Sequence, residues 1–473
     1  MYKDGTLTIS KWYEGMVKHP VLGFGRLQNA EIFYQKGIIT PKKGLITTNK
    51  LALSTPIART IDEYGNEYWA VYTTTTGLGL YKNNSAITVN ISKIYDIKIY
   101  KNYLWVRYGT NLGAYGPLDS GSAQWFPAIS SSFQSDAWGQ MVVGQDDYLY
   151  STNGNYVARI HVDSSGTVGV APTITGANTS LTALDLPDGQ ITTTIVEYGT
   201  KLAIGTYSEG GGGRIYTWNR QAGTLGNPGL ADLPVIFNEN GVYQLYSHAN
   251  KLYVTAGKEG NVYISDGTNY RKLATIPFTD LYGRVFVSYY PNAIALSPKG
   301  TLLVGASSSN TVSEGGAVWE ITDSGEVCIA YTLAQGLTSN NTIGIGFISI
   351  NTSSNSVSVG WANGSSYGID EDTSNSANMT IYSPLVRVGR FNNKKTFQHI
   401  EFNLAEEFAT GESITISFRR NKDDGWTSIG TWGYSTLGAI ASFEDTAGVN
   451  DCEYVQLKIE TVGDVELIDV TLR

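Results

Sequence analysis

Residues 242–277, VYQLYSHANKLYVTAGKEGNVYISDGTNYRKLATIP, carry the pattern that decides the fold. Four short apolar stretches stand in them: VYQLYSHA, KLYVTAG, NVYISDG and YRKLATIP. Asn250, a Lys-Glu-Gly step and an Asp-Gly-Thr-Asn step separate them. Such residues turn a chain sharply, because they tolerate positive φ or hydrogen-bond their own backbone. The stretches between them are rich in β-branched and aromatic residues. The segment therefore predicts four antiparallel strands joined by hairpins.

The unit recurs along the chain. Counterparts of its second strand open at Glu67 (EYWAVYT), Tyr103 (YLWVRYG), Tyr148 (YLYSTNG), Lys201 (KLAIGTY), Thr301 (TLLVGAS) and Ser356 (SVSVGWA). The strands that follow read GLGLYKN, NLGAYGP, YVARIHV, GRIYTWN, NVYISDG, GAVWEIT and SYGIDED. With Lys251 included, the steps are 36, 45, 53, 50, 50 and 55 residues, close to the period of four-stranded propeller blades. One such blade leaves both apolar faces bare, and stacking blades around an axis buries them. The expectation is an all-β chain with a β-propeller of about seven blades over residues 45–378. Gly205, Ala256 and Gly305 sit in the second strand of three consecutive units, where small residues suit close packing between blades. A β-solenoid would show a shorter period.

After Asn378 the texture changes. Ile400, Phe402 and Leu404 alternate with His399, Glu401 and Asn403. Ile414, Ile416 and Phe418 do the same, as do Val455, Leu457 and Ile459. Alternation with period two means one wet face and one buried face. It predicts an antiparallel β-sandwich over residues 379–473. Residues 1–44 fit neither pattern. Their plausible strand, AEIFYQKG, is read either as a ring-closing strand or as an arm that docks on a partner.

Only 16% of the residues are charged, and the net charge is −9. Basic residues cluster no further than the pairs Lys42-Lys43, Lys394-Lys395 and Arg419-Arg420, which argues against a nucleic-acid partner. Cys328 and Cys452 fall in different predicted domains and read as buried free thiols. The opening MYKDGTLTISKWYEGMVKHP carries no apolar core of the secretion-signal kind, and no run of 18 apolar residues occurs. Yet the Tyr-, Gly-, Ser- and Thr-rich body reads as an extracellular β protein. A virus particle, assembled in the host cytoplasm and working outside it, reconciles the two.

No motif of catalysis stands out. His19, His161, His248 and His399 show no zinc spacing, and no G-x-S-x-G elbow occurs. The glycines Gly210 to Gly213 lead into RIYTWN, a strand, whereas a phosphate loop must lead into a helix. Carboxylates pair up at Asp146-Asp147, Asp370-Glu371-Asp372 and Asp423-Asp424, and all three read as solvated turn acids. No catalytic residue, metal or cofactor is expected, and no ligand-binding residue can be singled out. The 31 Tyr and 10 Trp offer contact area and sugar-stacking faces. Of these, Trp125, Trp138 and Tyr289-Tyr290 are placed on loops.

Two resemblances add to this. YISDGTNYRKL, through Ser265, Asp266, Gly267 and Tyr270, resembles the Asp-box turn of sialidase-type propellers, a turn that stabilises a hairpin there. GFGRLQNAEIFYQKGIITPKKGL near the start is similar to virion proteins of tailed bacteriophages. So are LVRVGRFNNKKTFQHIEFNL, GESITISFRRNKDDGWTSIGTW and FEDTAGVNDCEYVQLKIE near the end. That resemblance implies a structural, tail-associated component (a fibre, spike or tail-tip protein) present as a homo-oligomer. It would touch other virion proteins and a host-surface glycan or receptor, without entering a membrane. The competing expectation is a carbohydrate-binding or glycan-cleaving propeller of the sialidase type.

Overall fold

The computed structural model describes residues 2–3, 6–9, 26–28, 30–31, 39–48, 50, 52–73, 79–134, 138–163, 167–174, 179–221, 229–276, 287–308, 316–333, 343–351, 354–376, 378–389, 394–421 and 423–473. Strands dominate, and the helix Tyr434–Leu437 is a single turn. The quoted segment forms one antiparallel sheet: Val242–His248, Lys251–Ala256, Asn261–Ser265 and Tyr270–Thr275. We call it sheet E, because four like it precede it. Sheet A opens with Thr55–Ile61, sheet B with Ile94–Tyr100, sheet C with Met141–Val143 and sheet D with Ile191–Tyr198. Sheet F runs from Ile294–Leu296 to Val327–Tyr331. Sheet G holds Ile343–Asn351, Ser356–Asn363, Ser366–Ser376 and, from the other end of the chain, Lys43–Thr47.

The opening strands touch one another in chain order, and that of sheet G packs back on that of sheet A. This closed order of radial sheets is the layout of a β-propeller. Burial follows it. In Tyr103–Tyr108, Leu104 and Val106 join a cluster shared with sheet A, while Tyr103 and Trp105 join one shared with sheet C. Successive side chains point to opposite faces, so a strand buried on both sides reads as an unbroken apolar run. The same division recurs around the ring to a cluster of Trp69, Tyr81, Phe347 and Ile369 between sheets G and A. At Gly205 a Cβ would stand 2.7 Å from Val242 of sheet E, and at Gly305 one would stand 2.5 Å from Ile345 of sheet G. These positions need glycine for that approach.

The C-terminal strands form two further layers. Lys395–Leu404 lies between Leu467–Leu472 and Ser442–Cys452, and Ser413–Arg419 lies between Tyr454–Val462 and Thr427–Gly433. One buried cluster joins them, through Ile400, Phe402, Ile416, Leu457, Ile459 and Val470. Cys328 and Cys452 are both buried free cysteines, and Cys328 belongs to the same cluster.

The N-terminal segment sews these parts together. Thr6–Ile9 pairs with Leu467–Leu472. Arg26–Gln28 runs parallel to Val327–Tyr331 of sheet F and antiparallel to Thr380–Tyr382, so one sheet continues from the propeller into the C-terminal layers. The strand that completes sheet G is Lys43–Thr47, on Asp370 to Ser376, and not AEIFYQKG. Of that stretch, Ala30–Glu31 pairs with Thr40–Pro41, and residues 32–37 lie outside the described ones. Lys42 meets Glu320 of sheet F at 2.9 Å, both buried.

Candidate functional site

In an antiparallel sheet the start of one strand and the end of the next share an edge. Tyr72 and Tyr207 end the second strands of sheets A and D, and Tyr95 and Tyr243 stand near the start of the first strands of B and E. Trp138 and Tyr290 precede the first strands of C and F. All six therefore gather at one mouth of the propeller axis. Ring centroids lie 6.5 Å apart for Tyr72 and Tyr95, 5.9 Å for Trp138 and Tyr243, and 6.5 Å for Tyr207 and Tyr243. Tyr72, Tyr95, Trp138 and Tyr290, with Lys93, wall a cavity of about 370 Å³.

Its floor is made of amides. Asn292 Nδ2 donates to the Ile57 carbonyl at 3.1 Å and to Asp96 Oδ1 at 3.0 Å. Gln140 Nε2 donates to Asn292 Oδ1 at 3.2 Å, and Gln140 Oε1 accepts from the Ile195 amide at 2.8 Å. Side chains from three sheets thus bind one another and the backbone of two more. Asp96 lies beneath, with no exposed surface, and accepts from the Met141 and Ile97 amides at 2.8 and 2.9 Å. Burial pushes its carboxyl up, against the pull of Lys98 and of these donors. Gln244 extends the floor, donating to the carbonyls of Tyr290 and Ala293 at 2.8 and 3.0 Å.

The walls are tuned by burial too. The Tyr243 hydroxyl is pushed up to about 12 by burial and by Tyr207 beside it, so it is a neutral hydrogen-bonding group. Behind Tyr95 the buried Arg107 guanidinium sits 5.7 Å from the Tyr95 ring and 4.2 Å from that of Phe133. Burial lowers it to about 10. It donates to the Asn111 and Gln134 carbonyls, which fixes the wall it supports. Among the described residues that line the cavity there is no carboxylate. Aromatic faces above and amides below suit a polyhydroxylated ring: C–H faces stack, and hydroxyls exchange hydrogen bonds.

The residues considered from sequence scatter. His161 packs on Tyr148 at 5.1 Å and lies 3.7 Å from Asp163. His248 is exposed at a hairpin of sheet E, and His399 faces Glu444 at 3.5 Å in the C-terminal layers. His19 is outside the described residues. Asp146 takes the Tyr150 hydroxyl at 2.6 Å in a hairpin, and Asp423 and Asp424 are exposed. The expectation for Asp370-Glu371-Asp372 is corrected: they lie within Ser366–Ser376. Asp370 is fully buried, taking the Trp361 indole N–H at 2.6 Å and the Thr47 hydroxyl at 2.9 Å. Thr47, and Lys50 beside Glu371, come from more than 300 residues away, which a local turn reading misses. Asp266 does hold its hairpin, accepting the Thr268 and Asn269 amides at 2.8 and 2.7 Å. Trp125 lies on the strand Gln124–Ser130 and not on a loop. Sequence reasoning singled out Trp138 and Tyr290 but not Tyr72, Tyr95, Tyr207 or Tyr243. Their shared position beside strand ends was the available signal.

No family model and no curated protein matches the chain. Solved structures are similar at low identity. The extracellular domain of a hybrid two-component system from B. thetaiotaomicron is 14% identical with a TM-score of 0.45, over 77% of this chain and 44% of that one. The chain thus spans under half of its length. The Dos1 propeller is 9% identical with a TM-score of 0.44, over 70% and 95%. The β-propeller domain of Myceliophteria thermophila Cps50 (Swd1) is 12% identical with a TM-score of 0.40, over 70% and 100%. None of the three is a phage protein by name.

Proposed function

We propose that sheets A to G are the blades of a seven-bladed propeller, that residues 379–473 form a β-sandwich, and that the whole is a structural, adhesive component of a tailed-phage virion. Its task is to hold a host-surface glycan at the aromatic mouth. The observation that carries the adhesive role is that mouth: aromatic side chains from six successive sheets above a floor of interlocked amides. Asp96, the carboxylate beneath the floor, is buried and already accepts from Asn292 and from the Met141 and Ile97 amides, which supports binding over cleavage. The virion setting rests on the similarity at the two ends of the chain and on the extracellular character of its composition.

Two measurements test these separately. Mass spectrometry of purified particles should find the chain, and its absence there removes the virion setting. Purified protein should bind host envelope polysaccharide without releasing reducing ends, and steady release of sugar would replace adhesion by glycan cleavage.

A further inference from the structure

A second cavity, of about 520 Å³, lies away from the axis between the outer edges of sheets A and B. It exists because the outermost strand of sheet A is only Ser85–Ala86, while that of sheet B runs from Gln124 to Ser130. One wall is aromatic. Tyr115 and Trp125 are paired across adjacent strands, and both line the groove. The Trp125 indole lies over Gly113, where a Cβ would stand 2.5 Å from its ring. The ring is thus laid against the sheet and half-buried. The other wall is polar: Lys82, Asn83, Ser85 and Thr88. Lys82 has its ammonium 5.6 Å from the Tyr68 ring centroid and makes no ion pair among the described residues. No carboxylate lines the groove among those residues.

We propose that this groove binds a saccharide unit that carries a carboxylate, such as a uronic acid. A flat aromatic surface opposite hydroxyl and amide groups suits a sugar ring. A half-buried cation without a carboxylate partner among the described residues, in a chain of net charge −9, selects an acidic ligand. The site is separate from the axial mouth, so a glycan held at both gains from the linkage between them.

The test is an array of immobilised acidic oligosaccharides and their methyl-esterified, neutral counterparts. It is probed with the wild-type chain, Trp125→Ala, Lys82→Gln and Trp138→Ala. Melting curves of each variant check the fold, and Lys82→Gln, at a half-exposed position, keeps the test valid where Trp125→Ala destabilises. Acidic spots should be bound by the wild type and by Trp138→Ala. Lys82→Gln should lose the preference for the acidic form, and Trp125→Ala should weaken binding about tenfold. The proposal is overturned if no acidic spot is bound, if Lys82→Gln keeps the acid preference, or if only Trp138→Ala removes it. Loss with Trp138→Ala alone would leave the axial mouth standing and this groove without a ligand. Binding at the mouth can fail without touching the result here.

Discussion

The Asn292 amide joins the backbone of sheet A to side chains of B and C. Asn292→Ala strips a donor from the buried Asp96 and leaves Gln140 without its acceptor. The expected cost is about 2 kcal/mol in urea unfolding. Glu67 is the other telling residue. Burial alone would raise its carboxyl, but Lys50 and Arg59 more than offset this and hold it below its usual range. An acid with a depressed folded pKa stabilises the fold above its unfolded value and loses that contribution as pH falls through the folded one. Wild type should therefore exceed Glu67→Gln in stability at pH 7, and the gap should close as pH drops below about 4.5. Equal gaps at pH 7 and pH 3 would contradict that role. Single residues were the least legible part of the sequence. The strand acids Asp370 to Asp372 look like turn acids when Thr47, their distant neighbour, is unknown.

At the scale of elements the sequence was most legible, because burial on one or two faces writes itself into period and run length. Ile400, Phe402 and Leu404 are buried and their alternating neighbours are not, while in KLYVTAG every residue from Leu252 to Ala256 is buried and the strand is packed on both sides. Small residues between sheets carry the same information. Gly305→Val would drive a side chain into Ile345 and Ala293. Overpacking of that kind costs about 1–3 kcal/mol, read as a fall in the urea midpoint with an unchanged slope. What could not be read was the pairing of Arg26–Gln28 and Lys43–Thr47. Each is short, and its partner strand is chosen by the fold of the rest and not by local pattern.

In the whole molecule, sheets A to G follow one another in a closed order, and early residues of the chain are used as thread. Lys43–Thr47 fills the outer edge of sheet G, and Lys50 reaches both Glu67 and Glu371 where sheets G and A meet. Removing residues 1–50 should open that seam and detach the C-terminal layers from sheet F. The expected outcome is a melting midpoint lower by more than ~5 °C and two separate transitions in calorimetry. A single unchanged transition would show that the thread is dispensable. The ring also explains why its mouth was hidden in the sequence: Tyr72, Tyr95, Trp138, Tyr207, Tyr243 and Tyr290 come together only when the sheets close. The most direct measurement is calorimetric titration of host envelope polysaccharide into the intact chain and into a Trp138→Ala, Tyr290→Ala double variant with an unchanged melting curve. The wild type should bind and the double variant should bind at least ~10-fold more weakly. Equal affinity in the two proteins would contradict a glycan site on the propeller axis.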